Sequence, residues 1–244
     1  MPNTSRPLPL SGAKNVRDLG SYQTLTGAIT KNYSLLRGDA LHNLSEEDCQ
    51  FLYAYGVRCV IDLRSVEEAL REPDRFPFGW NETEYIHIPI QDHIRANRYT
   101  EEFPPSMWQL YRWLLDDSQT QFQTIFETIA RYPDSGVLFH CSGGKDRTGV
   151  TAMLLLKLAG VSDETVTADY AVTEALMKDI FPLQVMQLEA RGLNVPPYVM
   201  QSPPENMEKA LEHLSTVYHT AEAYLHQIGL SEEQIKSIKK KIVD

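Results

Sequence analysis

Residues suited to phosphate chemistry lie together in one stretch of the chain. An apolar run, Val137–Phe139, is followed by His140 and Cys141 and then, after five residues, by Arg147 and Thr148. A loop between a strand and a helix turns backbone N–H groups inward, and the helix start adds about half a positive charge. The planar guanidinium of Arg147 can donate to two oxygens of a phosphate or sulfate. The spacing therefore predicts an anion site with a thiol at its base.

The chemistry of such a site follows from the thiol. A positive, hydrogen-bonding environment favours the thiolate of Cys141, which is the nucleophilic form. A thiolate below a bound phosphoryl group can attack phosphorus in line and form a phosphocysteine. Thr148 is predicted to hydrogen-bond the sulfur, and His140 to be a buried hydrogen-bonding residue that positions the thiolate. The residues predicted to bind the phosphate are Ser142, Gly143, Gly144, Lys145, Asp146 and Arg147.

A cysteine after an apolar run is more often a small core residue than a nucleophile. However, His-Cys, Gly, Arg and Thr at these fixed offsets should occur by chance in on the order of one in 10⁵ chains of this length. The full pattern, with an apolar strand before it and a helical pattern after it, therefore favours the functional interpretation.

Neighbouring segments predict the elements that position this loop. Val57–Leu63 is an almost unbroken apolar run typical of a buried parallel strand, and Thr83–Ile90 predicts the next strand. Val150–Leu158 is an apolar helical pattern. These patterns predict an α/β fold with a central, mostly parallel sheet flanked by helices. Ligand sites in such folds lie at the carboxyl ends of the strands.

Asp62 and Arg64 stand at the carboxyl end of the first of these strands. They could border the phosphate loop directly, or they could form a buried ion pair that braces it. Ser45-x-x-Asp48 and Ser65-x-x-Glu68 each predict a capped helix start.

The stretch around Cys141 resembles the signature of the cysteine-dependent protein tyrosine phosphatases, His-Cys-x5-Arg-Ser/Thr. It is more similar to a bacterial branch with His-Cys-x-x-Gly-Lys-Asp-Arg-Thr-Gly, which includes secreted tyrosine and lipid phosphatases of Mycobacterium and Listeria. The resemblance implies a protein tyrosine phosphatase-like fold and a metal-independent phosphatase without a cofactor. Other segments that carry it are Asn15-Val16-Arg17-Asp18-Leu19-Gly20-Ser21-Tyr22, Arg37-Gly38-Asp39, Val60-Ile61-Asp62-Leu63-Arg64-Ser65 and Ala168-Asp169-Tyr170.

Hydrolysis of an aryl phosphate requires a proton for the leaving oxygen and a base for water. The resemblance implies an Asp on a loop ahead of the signature, and Asp92, which follows a predicted strand, is the best match by position. No Trp-Pro-Asp sequence is present. Asp146, beside Arg147, is the rival, either as the acid or as a residue that holds a neighbouring loop. Weaker candidates are Asp62, Asp169, His87 and His93.

Lys145 bears on the substrate because it would add a point charge at the mouth of the pocket. Lipid phosphatases of the superfamily carry Lys in their loops, yet one Lys also occurs in enzymes acting on phosphotyrosine. The prediction is phosphotyrosine first, with phosphoserine and phosphothreonine open, and phosphoinositides as a second activity. A phosphoinositide phosphatase and an inactive phosphate-binding module are the alternatives. Intact Cys141 and Arg147 argue against the inactive module.

Composition sets further bounds. The formal net charge of −10 argues against nucleic acid or an anionic membrane as a bulk partner. No apolar run is long enough to span a membrane, and Met1–Leu10 lacks an apolar signal sequence. Three cysteines give no disulfide framework, which favours a reducing, cytoplasmic location with leaderless export left open.

One domain over residues 1–244 is expected, because no linker or repeat divides the chain. Residues 172–204, called the lid segment below, correspond to the region whose helices form a lid in the Mycobacterium relative, and the same is expected here. An ordinary peripheral helical hairpin is the alternative. Cys59, on the strand predicted to neighbour that of Cys141, is either a buried core thiol or a partner that traps oxidised Cys141 as a disulfide.

Overall fold

The computed structural model describes residues 6–90, 92–98 and 103–243. Short 3₁₀ and π-helical turns lie at Pro197–Met200 and Leu214–Tyr218. The strands are β1 Arg17–Asp18, β2 Leu35–Gly38, β3 Val57–Asp62, β4 Glu84–His87 and β5 Gly136–His140. The helices are α1 Glu46–Ala54, α2 Val66–Arg71, α3 Asp92–Arg98, α4 Met107–Asp117, α5 Gln119–Ala130, α6 Asp146–Leu158, α7 Asp163–Leu176, α8 Phe181–Ala190, α9 Pro204–His213, α10 Ala221–Gln227 and α11 Glu232–Ile242.

The five strands form one sheet in the order β1-β2-β5-β3-β4. Only the β1-β2 pair is antiparallel; the other pairs are parallel. His140 at the end of β5 pairs with Gly38 on one side and with Asp62 on the other. The predicted fold class, a mostly parallel sheet flanked by helices, is confirmed. The register brings the ends of β2, β3 and β5 to one edge of the sheet.

Alternate residues of the central strands supply two hydrophobic cores, as the two-residue period of a strand requires. Val137 and Phe139 of β5 pack in the larger core with residues of the helices α3 to α7 and α9 to α11. Leu138 points to the other face, where it packs in a smaller core with Leu52 of α1. Every residue of β5 is buried, so the strand that delivers Cys141 is fixed from both faces.

Both predicted capping boxes are present, at Ser45/Asp48 of α1 and at Ser65/Glu68 of α2. The Ser65 hydroxyl accepts from the Glu68 amide at 3.1 Å, and the Glu68 carboxylate accepts from the Ser65 amide at 2.7 Å. Two otherwise unpaired amides at the start of α2 are thereby satisfied.

Within the described residues, no helix is both long and apolar enough to cross a bilayer. The cytoplasmic location and the single domain over 1–244 stay predictions of the sequence.

Candidate active site

The loop 141–145 joins the central strand β5 to the start of α6. Gly144 has a φ of +66°, and a Cβ built on it would lie 2.6 Å from the carbonyl oxygen of Gly38. A residue with a side chain would be strained by this φ and would also collide with β2. Glycine at this position therefore allows the loop to turn tightly against the sheet.

The carbonyl oxygens of the loop are held from below. Asn15 donates its side-chain amide to the carbonyls of Gly143 and Gly144 at 2.9 and 3.3 Å. Arg37 donates to the Gly144 carbonyl at 2.7 Å. Because a trans peptide points its N–H opposite to its C=O, the next amides face the other way, into the concave side of the loop. This is the backbone arrangement of an anion cradle.

Asp169 of α7 anchors both arginines that lie beneath the loop. It pairs with Arg17 at 3.0 Å and with Arg37, and it also accepts from the Tyr22 hydroxyl at 2.8 Å. Burial alone would raise the pKa of Asp169, but Arg17 and Arg37 outweigh burial and lower it to about 2. A buried carboxylate held ionised between two arginines is unsuited to donate a proton to substrate. This geometry therefore does not support Asp169 as the general acid.

Cys141 follows directly after β5 and is buried, with 2% of its surface exposed. Arg147 lies in the first turn of α6 and donates two N–H groups to the carboxylate of Glu68, at 2.6 and 3.0 Å. Ser142 also donates its hydroxyl to Glu68. The helix α2 therefore fixes the orientation of the guanidinium that the sequence predicted to bind phosphate.

Glu68 is the site residue that sequence reasoning missed, since only its capping role was recognised. Burial alone would raise its pKa, but the charge of Arg147 and the hydrogen bonds from Arg147, Ser142 and Ser65 hold that pKa well below its ordinary value. A signal was available: the capping box stands directly after the end of β3, at the edge where the ligand site was expected.

His140 lies beneath the loop, fully buried. Its Nε2 lies 3.0 Å from a carboxylate oxygen of Asp74 and 3.9 Å from one of Asp62, and its Nδ1 lies 3.3 Å from the carbonyl oxygen of Cys141. Burial alone would lower the pKa of His140, but Asp74 and Asp62 raise it to about 9. The imidazolium thus contacts the backbone of Cys141.

Asp62 and Arg64 form the buried ion pair that was one of the two interpretations of this strand end. The pair measures 2.7 Å, and Arg64 also contacts Asp74 at 2.9 Å. Within the described residues, oxygen and nitrogen atoms of Asp62, Asp74 and His140 lie within 4.8 Å of one another, close enough to suggest metal ligands. The Arg64 guanidinium and the protonated His140 together already neutralise these two carboxylates and would repel a cation, so the cluster is a set of ion pairs bracing the loop.

Thr148 is fully buried, and its hydroxyl has no hydrogen-bond partner in residues 6–90, 92–98 or 103–243. The predicted hydrogen bond from Thr148 to the sulfur of Cys141 is therefore not formed in this structure.

Lys145 lies where the phosphate loop meets the lid segment. Its side chain is 2% exposed, and its ammonium donates to the carbonyls of Val199 and of Gln201, the latter at 2.9 Å. The same ammonium lies 5.9 Å from the ring centroid of Phe181. Its charge was expected at the mouth of the pocket, and the structure places it buried against the lid segment.

Phe181, the first residue of α8, lies directly over the loop: a Cβ built on Gly143 would lie 3.0 Å from its ring. At the other end of α8, Arg191 pairs with Glu67 of α2 at 2.6 Å. The helix thus crosses above the loop from α6 to α2.

The two principal acid candidates lie in different surroundings. Asp146 accepts from the Tyr111 hydroxyl at 2.5 Å, and Tyr111 is joined to the buried Tyr170 at 2.7 Å. Asp92 is exposed and accepts from the backbone amide of Val66, at the start of α2, at 3.2 Å. Asp146 is therefore tied into the interior, whereas Asp92 stands at the surface beside the helix that holds Arg147.

Among the described residues, the structure gives no contact that supports either histidine candidate as the general acid. His87 Nε2 contacts the carbonyl of Arg64 at 2.8 Å. The side chain of His93 lies outside the described part of the chain.

Cys59 pairs in register with Val137, four residues before Cys141 on the neighbouring strand. Four residues of strand span about 13 Å, whereas a disulfide requires Cα atoms within about 7 Å. The idea that Cys59 traps oxidised Cys141 is therefore wrong, and Cys59 is a buried core thiol whose pKa is raised to about 12, chiefly by burial.

A cysteine at the base of a backbone anion cradle, with an arginine fork in the first turn of the next helix, defines a phosphatase of the cysteine-dependent class. A family model described as the tyrosine phosphatase family matches residues 8–244. The chain belongs to that family, and the predicted phosphatase activity is confirmed at this level.

Two relatives found by sequence agree with this assignment. A tyrosine-protein phosphatase of Nostoc commune is 32% identical over 219 residues, which cover 84% of this chain and 73% of that protein. The triple specificity protein phosphatase PtpB of Mycobacterium tuberculosis is 28% identical over 194 residues, 66% of this chain and 67% of that protein. The crystal structure of TpbA from P. aeruginosa aligns with a TM-score of 0.40 at 12% identity, over 83% of this chain and 91% of that chain.

Proposed function

We propose that this phosphatase hydrolyses phosphotyrosine through a phosphocysteine on Cys141, and that it belongs to the bacterial branch with the Gly-Lys-Asp-Arg-Thr-Gly pattern. The observation that carries the proposal is the loop itself. Its carbonyls are bound from below by Asn15 and Arg37, which leaves the amides free to bind a phosphoryl group above Cys141.

In the first step the thiolate of Cys141 attacks phosphorus, a P–S bond forms, and the P–O bond to the tyrosine oxygen breaks. The leaving oxygen takes a proton from a general acid. In the second step water attacks the phosphocysteine, the same residue, now a carboxylate, takes the water proton, and phosphate and thiolate are released. Arg147 and the loop amides bind the oxygens whose charge is redistributed.

Asp92 is our candidate for the general acid. Its carboxylate is exposed beside the first turn of α2, the helix that holds Arg147, and accepts from the Val66 amide at 3.2 Å. Asp146 instead accepts from the buried Tyr111 hydroxyl at 2.5 Å, which suits a residue that positions the start of α6. We assign Asp146 to positioning and retain it as the rival in the experiment below.

Residues 172–204 are proposed to act as a lid. Phe181 covers Gly143, and Lys145 binds the carbonyls of Val199 and Gln201, so both contacts lie directly above the phosphate loop. A substrate would reach Cys141 with this cover open, and closure over the bound substrate would return the start of α8 to the position described here.

Phosphoinositides remain a second candidate substrate class, because the bacterial branch whose Gly-Lys-Asp-Arg-Thr-Gly pattern this chain resembles includes lipid phosphatases. Lys145, the residue expected to meet additional phosphates, is already bound to the lid segment. This contact favours phosphotyrosine as the first substrate, with phosphoserine and phosphothreonine as further ones.

The test is phosphate release from a phosphotyrosine peptide and from soluble inositol phosphates, with a chelator present. The native chain is compared with Cys141→Ser, Asp92→Asn and Asp146→Asn. We expect Cys141→Ser to abolish turnover. Asp92→Asn should lower kcat on phosphotyrosine by roughly 10²-fold or more, with a much smaller loss on an aryl phosphate whose leaving group needs no proton.

A leaving-group-dependent loss in Asp146→Asn and not in Asp92→Asn would assign the acid to Asp146. Phosphate binding by the native chain without turnover of any substrate would contradict the enzyme proposal and favour the inactive binding module.

A further inference from the structure

A cleft of about 290 Å³ lies beside the phosphate loop and shares Ser142 with it. Its other walls come from residues 11, 12 and 14, from residues 39, 40, 42 and 43 after β2, and from Met177, Ile180 and Gln184 around the start of α8. The Ala40 amide donates to the Ser142 carbonyl at 3.1 Å, which fixes this wall to the loop. The cleft therefore begins one residue from Cys141, where the groups that flank a bound phosphate ester must lie.

The lining of the cleft is mixed in character. Met177 and Ile180 form an apolar wall, and Asn43 and Gln184 carry side-chain amides. Lys14 is the cation of the lining, is exposed, and donates its ammonium to the Ser11 carbonyl at 2.8 Å. That hydrogen bond uses one of the three N–H groups of the ammonium. Its acceptor is a neutral carbonyl, so this contact supplies no counter-charge to Lys14.

The charges of the lining decide between ligand classes. A headgroup with several phosphates requires several cations, but the lining offers one ammonium, Lys14, with the buried carboxylate of Asp39 and the imidazole of His42, which contacts the Asn43 amide at 2.8 Å. The Asp39 carboxylate accepts the amides of Lys14 and Asn15 at 3.0 and 2.9 Å, so it is fixed in the wall. A single carboxylate on a short aliphatic stem matches one exposed lysine beside an apolar wall, and amides suit a peptide backbone.

We propose that this cleft is a subsite for an acidic residue, glutamate or aspartate, flanking the phosphotyrosine of a peptide substrate. The carboxylate pairs with Lys14, the methylene groups pack on Met177 and Ile180, and the amides of Asn43 and Gln184 hydrogen-bond the peptide backbone. The inference rests on the proposed function and adds a sequence preference to it.

The experiment measures kcat/KM for phosphotyrosine peptides of equal length in which each position near the phosphotyrosine carries Glu, Ala or Lys. At the position that reaches the cleft, we expect the native chain to prefer Glu over Lys by roughly two- to fivefold, the range of an exposed charge pair. Lys14→Glu should reverse that preference at the same position. Lys178→Glu, the same charge change at an exposed lysine outside the lining, should leave it as in the native chain.

Two further measurements separate this subsite from the phosphatase proposal. Turnover of p-nitrophenyl phosphate, which is too short to reach the cleft, should be equal in the native chain and in Lys14→Glu. If p-nitrophenyl phosphate turnover is equal in the two chains and Lys14→Glu still prefers Glu peptides as the native chain does, the subsite proposal is wrong and the phosphatase proposal stands. A greater loss on soluble inositol phosphates than on the Glu peptide in Lys14→Glu would also overturn it, in favour of a headgroup site.

Discussion

The phosphate loop lies between two regions that are held by different kinds of interactions. Beneath it, which we call the floor, Arg17, Arg37 and Asp169 form buried ion pairs. Above it, which we call the roof, α8 and the turn at Val199 contact the loop through Lys145 and Phe181 and reach α2 through an exposed ion pair.

Burial determines what each region can do. Removing one partner from a buried ion pair leaves an uncompensated charge and costs several kcal/mol, whereas an exposed pair contributes about 0–1 kcal/mol. The floor therefore holds one loop geometry through opposite buried charges. The roof is held by hydrogen bonds from the buried Lys145 ammonium to neutral carbonyls and by an exposed ion pair, which fits the lid proposed above.

The largest expected effect comes from the floor. Asp169→Asn should lower the free energy of unfolding by about 3–5 kcal/mol, because Arg17 and Arg37 would be left buried without their counter-charge. Denaturant unfolding checks this value. Asp163→Asn, on the same helix but 68% exposed in its pair with Lys157, is the matched control and should cost no more than about 1 kcal/mol. Equal losses in the two variants would contradict the distinction between floor and surface.

The second effect concerns pH and His140, which lies beneath the loop beside the floor. The pKa of His140 is raised to about 9 in the folded chain, whereas an unfolded histidine has a pKa near 6.5. The stability from protonated His140 is therefore complete below about pH 6.5 and is lost as the pH rises through about 9, an effect of about 3 kcal/mol.

Thermal unfolding of the native chain and of His140→Gln between pH 6 and 9.5 measures this contribution. Lys241 titrates in the same window with the opposite sign, since burial lowers its pKa to about 8, so only the difference between the two chains is diagnostic. A pH-independent difference would show that folding does not raise the pKa of His140.

The smallest effects are expected in the roof, and they are local. Lys145→Met removes the hydrogen bonds to Val199 and Gln201 and should speed amide hydrogen exchange across residues 181–201 with little change elsewhere. Arg191→Gln removes an exposed pair, with Arg191 44% exposed, and should change exchange by at most about fivefold. Faster exchange in the floor of Lys145→Met would show that the two regions unfold together.

Some elements followed directly from local sequence. The apolar run before Cys141 predicted β5, and the Ser65/Glu68 pattern predicted the start of α2. The start of α2 depends on hydrogen bonds within a few residues, and β5 depends on burial of one strand from both faces. Each pattern can therefore be recognised in a single segment of the chain.

Other site features could not be read in this way. Lys145 was expected at the mouth of the phosphate pocket. Its ammonium instead binds the carbonyls of Val199 and Gln201, more than fifty residues further along the chain. Cys59 was a possible partner for Cys141 until the strand register separated them. Long-range packing and strand register decide such distances, and neither leaves a local pattern.

The sequence by itself determined the chemistry of this protein, because Cys141, two glycines and Arg147 lie within seven consecutive residues. A strand before them and a helix after them are enough to form the loop. The tertiary structure decided which distant residues hold that loop. Asn15, Arg37 and Asp169 meet beneath it and Glu68 meets Arg147 only because the strand order brings separate segments to one edge of the sheet. Short-range geometry is encoded locally, whereas the pairing of buried charges depends on which surfaces the whole chain buries together.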